Sequence, residues 1–314
     1  MKKTLAIMLW VGVVVLYFTG IGCSNYSRQT SLILAKVEHA ILPHTYFNEV
    51  VILTFHDISS TDKTRYAISP QMFESEIQDL VNNGYNIISL AQAVNFSQGK
   101  ETIPRNAVVI TTDDGYAGMY EYVYPVLKKY KIPATFFLVA GVMGKNQNTL
   151  TWLQIREMEG SGLVTFGGHT YNSHNEVLVS PSILEPASIG HIYDPKTGHT
   201  ETSAEYYNRM FSDSQRAQEL FRKELGHTSA FFAYPYGAFT PEFDKSLKAS
   251  GYKCFFTEIP GILHRKHNHN HFYRLDIGIP TLTPTQMINE IHQWSELTTP
   301  ANNIPPRYVL RWKQ

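Results

Sequence analysis

The stretch that decides the fold is residues 108–118, VVITTDDGYAG. Its apolar run VVI is typical of a strand buried on both faces, and the Asp-Asp-Gly that follows predicts a tight turn. Residues 120–130 have helical spacing, and residues 134–140 form a second apolar run. This strand, turn, helix and strand unit puts Asp113 and Asp114 at the carboxyl end of a strand. In α/β folds, ligands bind at that end.

The same alternation of strand and helix extends in both directions from this unit. Further strands are predicted at residues 50–55, 87–90, 163–166, 231–234, 254–257 and 272–279. Further helices are predicted at residues 70–84, 91–98, 151–161, 206–226, 241–249 and 283–294. Repeated βα units imply a parallel sheet with right-handed crossovers, and this many of them favour a barrel over an open sheet.

Two carboxylates next to each other repel, so Asp113 and Asp114 are tolerated where a cation or a shared proton compensates them. A solvated turn is the alternative interpretation. His169 and His174 follow the predicted strand 163–166 in the loop sequence GGHTYNSH. A pair of hydrogen-bonded loop histidines would give the same pattern. One carboxylate and two imidazoles would instead give a metal ion three protein ligands and leave positions for water and substrate.

The N-terminus has the pattern of an export signal. Lys2 and Lys3 precede an apolar stretch at residues 4–22, and Cys23 follows it. Small residues before Cys23 resemble a bacterial lipoprotein signal, in which that cysteine becomes lipidated after cleavage. An uncleaved membrane anchor is the competing interpretation, because the stretch is near the length of a spanning helix. Both place the remaining chain outside the cytoplasmic membrane.

Composition limits the classes of function. The 314-residue chain has a formal net charge of zero and no long basic run, so nucleic-acid binding is not expected. The second of its two cysteines, Cys254, can form no internal disulfide if Cys23 is removed or lipidated. We therefore expect Cys254 to be a small buried hydrophobic residue. An apolar content of 43% is typical of one globular domain of barrel size.

We expect a signal at residues 1–23, a tether at 24–48, one main domain at 49–298 and a C-terminal tail at 299–314. Residues 175–203 break the βα rhythm and are either a surface insertion that lines or covers the site or a disordered excursion. The histidine-rich sequence HRKHNHNH at residues 264–271 predicts a solvated loop, with a metal-binding tract as the alternative.

From about residue 50 to residue 294 the chain resembles the polysaccharide deacetylases of carbohydrate esterase family four. It looks closest to the branch that removes acetyl groups from poly-β-1,6-linked N-acetylglucosamine in biofilm matrices. Four motifs in order carry the resemblance: LTFHDI at 53–58, TTDDG at 111–115, HTYNSH at 169–174 and YPYG at 234–237. The resemblance implies an α/β fold, a distorted (β/α) barrel with fewer than eight regular units.

The resemblance also implies roles for individual residues. It makes Asp113 the general base and His56 the general acid, and Tyr236 would give its backbone N–H to the oxyanion. The implied ligands of one divalent metal are Asp114, His169 and His174. Zn²⁺ is the first expectation, although Fe²⁺, Co²⁺ and Ni²⁺ also suit this ligand set.

Two positions depart from the family pattern. Thr112 stands where Phe is usual, and Ala233 stands where many relatives have an arginine that helps to hold the base ionised. Arg274 is the candidate replacement, because it lies near the end of a late predicted strand.

The expected activity is metal-dependent removal of N-acetyl groups from an extracellular N-acetylglucosamine polymer, with poly-β-1,6-N-acetylglucosamine as the first candidate. The expected partners are that polysaccharide and a membrane, which the chain would join through a lipid or an N-terminal anchor. Deacetylation of peptidoglycan or of chitooligosaccharides is an alternative within enzymes. A catalytically inert polysaccharide-binding lipoprotein is an alternative of another class.

Overall fold

The computed structural model describes residues 45–62, 64–267 and 270–296. Its β-strands are, in chain order, β1 (Glu49–Phe55), β2 (Asp57–Ile58), β3 (Ala67–Ile68), β4 (Asn86–Ile87), β5 (Ala107–Thr112), β6 (Ala134–Leu138), β7 (Val164–Gly168), β8 (Glu176–Ser180), β9 (Ile183–Pro186), β10 (Phe231–Ala233), β11 (Cys254–Phe256), β12 (Leu263–His264), β13 (His271–Phe272) and β14 (Leu275–Asp276). Its α-helices are α1 (Pro70–Asn82), α2 (Leu90–Ser97), α3 (Tyr124–Tyr130), α4 (Trp152–Gly160), α5 (Ser203–Leu225), α6 (Pro241–Ala249) and α7 (Pro284–Glu296).

The main sheet has the strand order β12-β1-β5-β6-β7-β10-β11-β13, and β4 and β14 pair with β5 and β1. Its pairings are parallel except for the antiparallel pair β1 and β12. Tyr273 and Arg274 alone connect β13, at one edge, to β14, which lies beside β1 near the other edge. The sheet is therefore nearly closed, and the predicted distorted barrel with fewer than eight regular units is confirmed.

The strands are buried on both faces, as their unbroken apolar runs predict. In β1, Val51 and Leu53 join one hydrophobic cluster, whereas Val50 and Ile52 join another on the opposite face. This alternation follows from the two-residue period of a strand. Burial of each such side chain stabilises the fold by about 1.5–3 kcal/mol relative to exposure. Cys254 is a free, buried cysteine in β11, as expected from the sequence.

The single helix predicted at residues 120–130 is two different helices. A π-helix at Met119–Val123 leads directly into α3. Pro125, in the first turn of α3, has no N–H, and its ring would collide with the carbonyl of Glu121 in a regular α-helix. The backbone is wider at this point, and the N–H of Tyr124 donates to the carbonyl oxygen of Met119.

Two predicted strands are also shorter than expected. Strand β4 ends at Ile87, because Ser89 forms a capping box with Gln92 and begins α2 at Leu90. The strand predicted at 272–279 is instead divided into β13 and β14, since the chain crosses there from one edge of the sheet to the other.

The two irregular segments have defined structure. Within residues 175–203, β8 and β9 form an antiparallel hairpin, and Tyr193 bridges to Thr200. The prediction of a solvated loop at residues 264–271 is wrong at both ends of this segment. His264 pairs with Glu49 in the sheet, and His271 Nε2 lies 2.9 Å from Asp244 Oδ2. Strand pairing and this ion pair hold side chains that composition alone would leave in solvent.

Several predictions fall on residues outside the described parts of the chain. These are the signal at 1–23, including Cys23, the tether up to residue 44, and the tail at 299–314. Within the described residues, no helix combines the length and the apolar character needed to cross a bilayer.

Candidate active site

The predicted site residues gather at the carboxyl ends of the parallel strands. His56 follows β1, Asp113 and Asp114 follow β5, and His169 follows β7. Three loops at this rim each contain a non-glycine residue with positive φ, namely Asp114 at 72°, Thr170 at 76° and Tyr236 at 58°. Such backbone conformations are unfavourable for these residues and occur preferentially at functional sites.

Asp114, His169 and His174 form a compact cluster. One ligand-type atom from each residue lies within 4.8 Å of the others. Asp114 Oδ1 is 3.5 Å from His169 Nε2 and 3.1 Å from His174 Nε2. Within the described part of the chain, this buried oxygen makes no hydrogen bond. A buried carboxylate oxygen without a donor beside two imidazoles fits a divalent cation, so the residues present suit the expected metal.

The ring of His169 is oriented by the backbone of β10. Its Nδ1–H donates to the carbonyl oxygen of Ala233 at 2.8 Å, which leaves Nε2 facing Asp114. A hydrogen bond of this kind fixes the tautomer that a metal ligand needs. Ala233 is the position where many relatives have arginine, and here its main chain holds a predicted ligand.

Protonation in this cluster follows from burial and from neighbouring charges. Burial would raise the pKa of Asp114, but the neighbouring imidazoles of His169 and His174 outweigh it and lower this pKa far below its usual value. Burial and the nearby His169 lower the pKa of His174. Burial acts in the same direction on His169, but Asp114 and Asp113 outweigh it and raise the pKa of that ring.

Asp113 forms a bidentate ion pair with Arg274. Arg274 Nη1 and Nη2 donate to Asp113 Oδ1 and Oδ2, both at 2.7 Å, and both side chains are fully buried. Burial would raise the pKa of Asp113, but the charge of Arg274 outweighs it and holds the pKa below its usual value. Arg274 also donates from Nε to the carbonyl oxygen of Thr257 at 3.0 Å.

His56 is surrounded by carboxylates. Its Nε2 lies 3.8 Å from Glu258 Oε1, and its Nδ1 lies 3.7 Å from Asp276 Oδ1. Burial would lower the pKa of His56, but Glu258, Asp113 and Asp276 raise it to about 9. At these distances the contacts are ion pairs and not hydrogen bonds, so we attribute the rise to charge. His56 is therefore held in its protonated form at neutral pH.

Tyr236 closes another side of the cluster. Its ring centroid lies 4.7 Å from that of His174, and its hydroxyl donates to the carbonyl oxygen of His174 at 2.7 Å.

An open cavity of about 450 Å³ adjoins these groups, lined in part by Asp114, Tyr116 and His174. Tyr116 also lines a neighbouring cavity of about 600 Å³. Each of the two cavities has the volume of a typical ligand site.

Two further carboxylates of this region, those of Glu258 and Asp213, were not predicted from the sequence. Glu258 follows β11 at the same rim, and the rule that polar residues at strand ends face the ligand would have selected it. Asp213 lies in α5 beneath the loop of His169 and His174 and is buried. The helical spacing could have indicated Asp213, because it is a charged residue on the buried face of the helix, three positions after Met210 and four before Ala217.

Comparison with known proteins decides the family. A sequence profile of the polysaccharide deacetylase family matches residues 100–255. Poly-beta-1,6-N-acetyl-D-glucosamine N-deacetylase of Staphylococcus aureus strain MRSA252 is 30% identical over 228 residues, which cover 71% of each chain. The chain belongs to the polysaccharide deacetylase family.

Two further comparisons support this assignment to the polysaccharide deacetylases. The solved structure of a de-N-acetylase from Aggregatibacter actinomycetemcomitans is 30% identical and superposes with a TM-score of 0.70, over 77% of this chain and 99% of that one. The Escherichia coli K12 protein named poly-beta-1,6-N-acetyl-D-glucosamine N-deacetylase is 28% identical over 262 residues. That match covers 76% of this chain but only 38% of the length of the E. coli relative.

Proposed function

We propose that this polysaccharide deacetylase is a metal-dependent enzyme that removes N-acetyl groups from poly-β-1,6-N-acetylglucosamine. The proposal rests on one observation, that three groups of side chains lie together at the carboxyl ends of the parallel strands. These are the cluster of Asp114, His169 and His174, the ionised pair of Asp113 and Arg274, and the protonated His56. Relatives named for the same polymer at 28% and 30% identity support the choice of substrate.

Hydrolysis of an amide requires an activated water, a stabilised oxyanion and a proton for the departing nitrogen. A divalent metal bound by Asp114, His169 and His174 would supply a Lewis acid that lowers the pKa of a bound water. We propose Zn²⁺, since a carboxylate and two imidazoles are suitable ligands for it. Asp113, kept ionised by Arg274, accepts the proton of the attacking water.

The other two steps use His56 and Tyr236. His56 donates its proton to the amine nitrogen, which leaves poorly without it. The backbone N–H of Tyr236 stabilises the oxyanion, and one donor of this kind typically contributes about 3 kcal/mol. A donor atom of His56 lies within 4.8 Å of a carboxylate oxygen of Asp113. This proximity supports their action on the same amide group.

The test is product analysis on defined oligomers of N-acetylglucosamine, with metal content measured on the same preparation. We expect free amines to form on β-1,6-linked oligomers at a rate well above that on β-1,4-linked oligomers, with about one Zn²⁺ per chain. Preference for the β-1,4 linkage would assign the enzyme to peptidoglycan or chitooligosaccharides. Binding of oligomers without any turnover would identify a catalytically inert polysaccharide-binding protein.

We also propose a location and an organisation for the chain. The relatives act on a polysaccharide, as their names state, and the N-terminal pattern of Lys2, Lys3 and an apolar stretch is that of exported proteins. We infer a signal at residues 1–23, lipidation of Cys23, a tether to residue 48, the catalytic domain at 49–298 and a tail at 299–314. The enzyme would then remain at the outer face of the cytoplasmic membrane.

A further inference from the structure

Asp213 contacts the loop between the two histidines at three consecutive residues. Its Oδ1 accepts the N–H of Tyr171 at 2.8 Å. Its Oδ2 accepts the N–H of Asn172 and the hydroxyl of Ser173, both at 2.9 Å. One buried carboxylate on α5 therefore binds much of the chain that separates His169 from His174.

This loop needs an external support, because its own backbone is strained. Thr170 has a φ of 76°, a conformation that is unfavourable for a β-branched residue. The only side-chain hydrogen bond from within the loop that we find in the described chain is that of Ser173 N–H to Thr170 Oγ1, at 3.2 Å. Outside the loop, the N–H of Gly141 donates to the carbonyl oxygen of Tyr171 at 2.8 Å.

Helix α5 contacts the loop a second time, one turn after Asp213. The guanidinium of Arg216 lies over the ring of Tyr171, 4.3 Å from its centroid. The helix thus holds the loop through a carboxylate on main-chain donors and a cation on an aromatic face. A 23-residue helix is a rigid support for this purpose.

We propose that Asp213 is a positioning residue that sets the distance between His169 and His174 and thereby the affinity for the metal. The inference rests on the metal site of the proposed function. His169 is held independently, by β7 and by the carbonyl oxygen of Ala233. Asp213 consequently acts on the position of His174, whose side chain is 27% exposed, whereas that of His169 is 2% exposed.

The variant Asp213→Asn tests this inference with almost no change in shape. An asparagine retains one acceptor oxygen and turns an NH₂ group toward the remaining donors, so at least one loop N–H loses its partner. We expect the Kd for Zn²⁺, measured on the metal-free protein by competition with a chromogenic chelator, to rise by about 10–100-fold. Ser173→Ala removes one of the three bonds and should weaken Zn²⁺ binding in the same direction by a smaller factor.

Asp244→Asn is the matched control. Asp244 is as buried as Asp213, at 8% exposure, and also lies in a helix. Its carboxylate contacts the side chains of Tyr234, His271 and Lys248. None of these three contacts involves the loop of residues 169–174. We expect Asp244→Asn to lower the Tm of the metal-free protein while its Kd for Zn²⁺ stays within about twofold of wild type.

The possible outcomes distinguish the positioning role of Asp213 from the proposed metal site itself. A wild-type protein that binds Zn²⁺, with Asp213→Asn and Ser173→Ala binding it equally well, would overturn the positioning role and leave the proposed function intact. Equal weakening of Zn²⁺ binding in Asp213→Asn and Asp244→Asn would also overturn the positioning role, because general destabilisation would explain both. A wild-type protein without affinity for Zn²⁺ would overturn the metal site and the positioning role together.

Discussion

Arg274 and Asp113 form a bidentate ion pair in which both N–O distances are 2.7 Å and neither side chain is exposed to solvent. The two residues are 161 positions apart in the chain. Their contact forms because β14 closes the sheet against β1 and brings the connection from β13 behind the end of β5. Closure of the barrel therefore also brings Arg274 to Asp113 and keeps that carboxylate ionised.

Replacement of Arg274 by methionine should leave Asp113 buried without its cation. Breaking a buried pair in this way typically costs about 3–5 kcal/mol. We expect the free energy of unfolding at pH 7 to fall by about that amount, as measured by urea denaturation. Because the native pair lowers the pKa of Asp113, its stabilisation is present at neutral pH and is lost as the pH falls through the acidic range. The difference between variant and wild type should therefore shrink only as the pH falls below 3.8, the ordinary pKa of an aspartate, toward the lower value of Asp113 in the folded protein.

The control for this variant is Arg265→Met. Arg265 is exposed, and its guanidinium donates a hydrogen bond of 3.4 Å to the carbonyl oxygen of Gly99. Its replacement should change the free energy of unfolding by less than about 0.5 kcal/mol. Equal stability of Arg274→Met and wild type at pH 7 would contradict the structural importance of the buried pair.

Much of the fold and of the metal cluster could be predicted because the signals are local. The run VVI before Asp113 and the loop sequence of His169 and His174 each place polar residues at the end of a buried strand. Parallel strands end at the same rim, so the sequence alone brings these residues together.

The roles of the remaining site residues depend on contacts between distant elements, which their local sequence signals do not specify. Glu258 and Asp213 approach the site from β11 and α5, and their roles follow from how those elements pack. The absence of the family arginine at position 233 indicates Arg274 as its replacement, but the single strand predicted around Arg274 is divided into β13 and β14. Pro125 and Ser89, in contrast, gave local signals for a π-helix and a helix start that strand and helix periodicity concealed.

Loss of either histidine should remove the metal. His169→Ala and His174→Ala each leave two protein ligands, too few for stable binding of a divalent ion. We expect elemental analysis of the purified variants to give less than about one tenth of the wild-type metal content. His199→Ala is the control, because His199 is exposed and pairs with Glu205 at a distance from the cluster. Full metal content in both site variants would refute the assigned ligands.

The two adjacent aspartates should respond differently to the same substitution. Asp113→Asn should retain the metal, since Asp114 and both histidines are unchanged, and should lower kcat by about 10²–10⁴-fold through loss of the base. Asp114→Asn should lose metal and activity together. Metal analysis and rate measurements on the same preparations distinguish the two. Metal loss in Asp113→Asn with metal retention in Asp114→Asn would reverse the assignments.

Lipidation at Cys23 can be tested separately from catalysis. Wild-type chain expressed in a bacterial host should incorporate labelled fatty acid and migrate at the size expected after cleavage before Cys23. Cys23→Ser should incorporate none, while Cys254→Ser, which alters a buried cysteine, should be labelled like wild type. An unlabelled wild-type chain of full length would support the uncleaved anchor.

The pH dependence of kcat/KM should reflect the carboxylates that surround His56. Its pKa of about 9 arises although burial opposes it, because Glu258, Asp113 and Asp276 face the ring and Asp114 lies nearby. An acid with this pKa is protonated below pH 9, so kcat/KM should fall on the alkaline side near that value. Glu258→Gln removes one of the charges and should move this fall to lower pH by about one unit or more. If kcat/KM of Glu258→Gln falls at the same alkaline pH as that of wild type, the charge of Glu258 does not raise the pKa of His56.

The leaving group decides whether His56 is the acid. An amine departs only after it gains a proton, whereas the phenolate of an activated aryl acetate departs without one. His56→Ala should therefore lower kcat/KM on N-acetylglucosamine oligomers by about 10²-fold or more and affect the aryl acetate much less. Metal content should stay at the wild-type level, because none of the three predicted ligands is altered. Tyr66→Phe serves as the control, since the ring of Tyr66 lies 5.3 Å from that of His56 and its replacement keeps the packing. Equal losses on both substrates, or loss of the metal, would remove His56 from this role and leave it as a residue that only stabilises the rim.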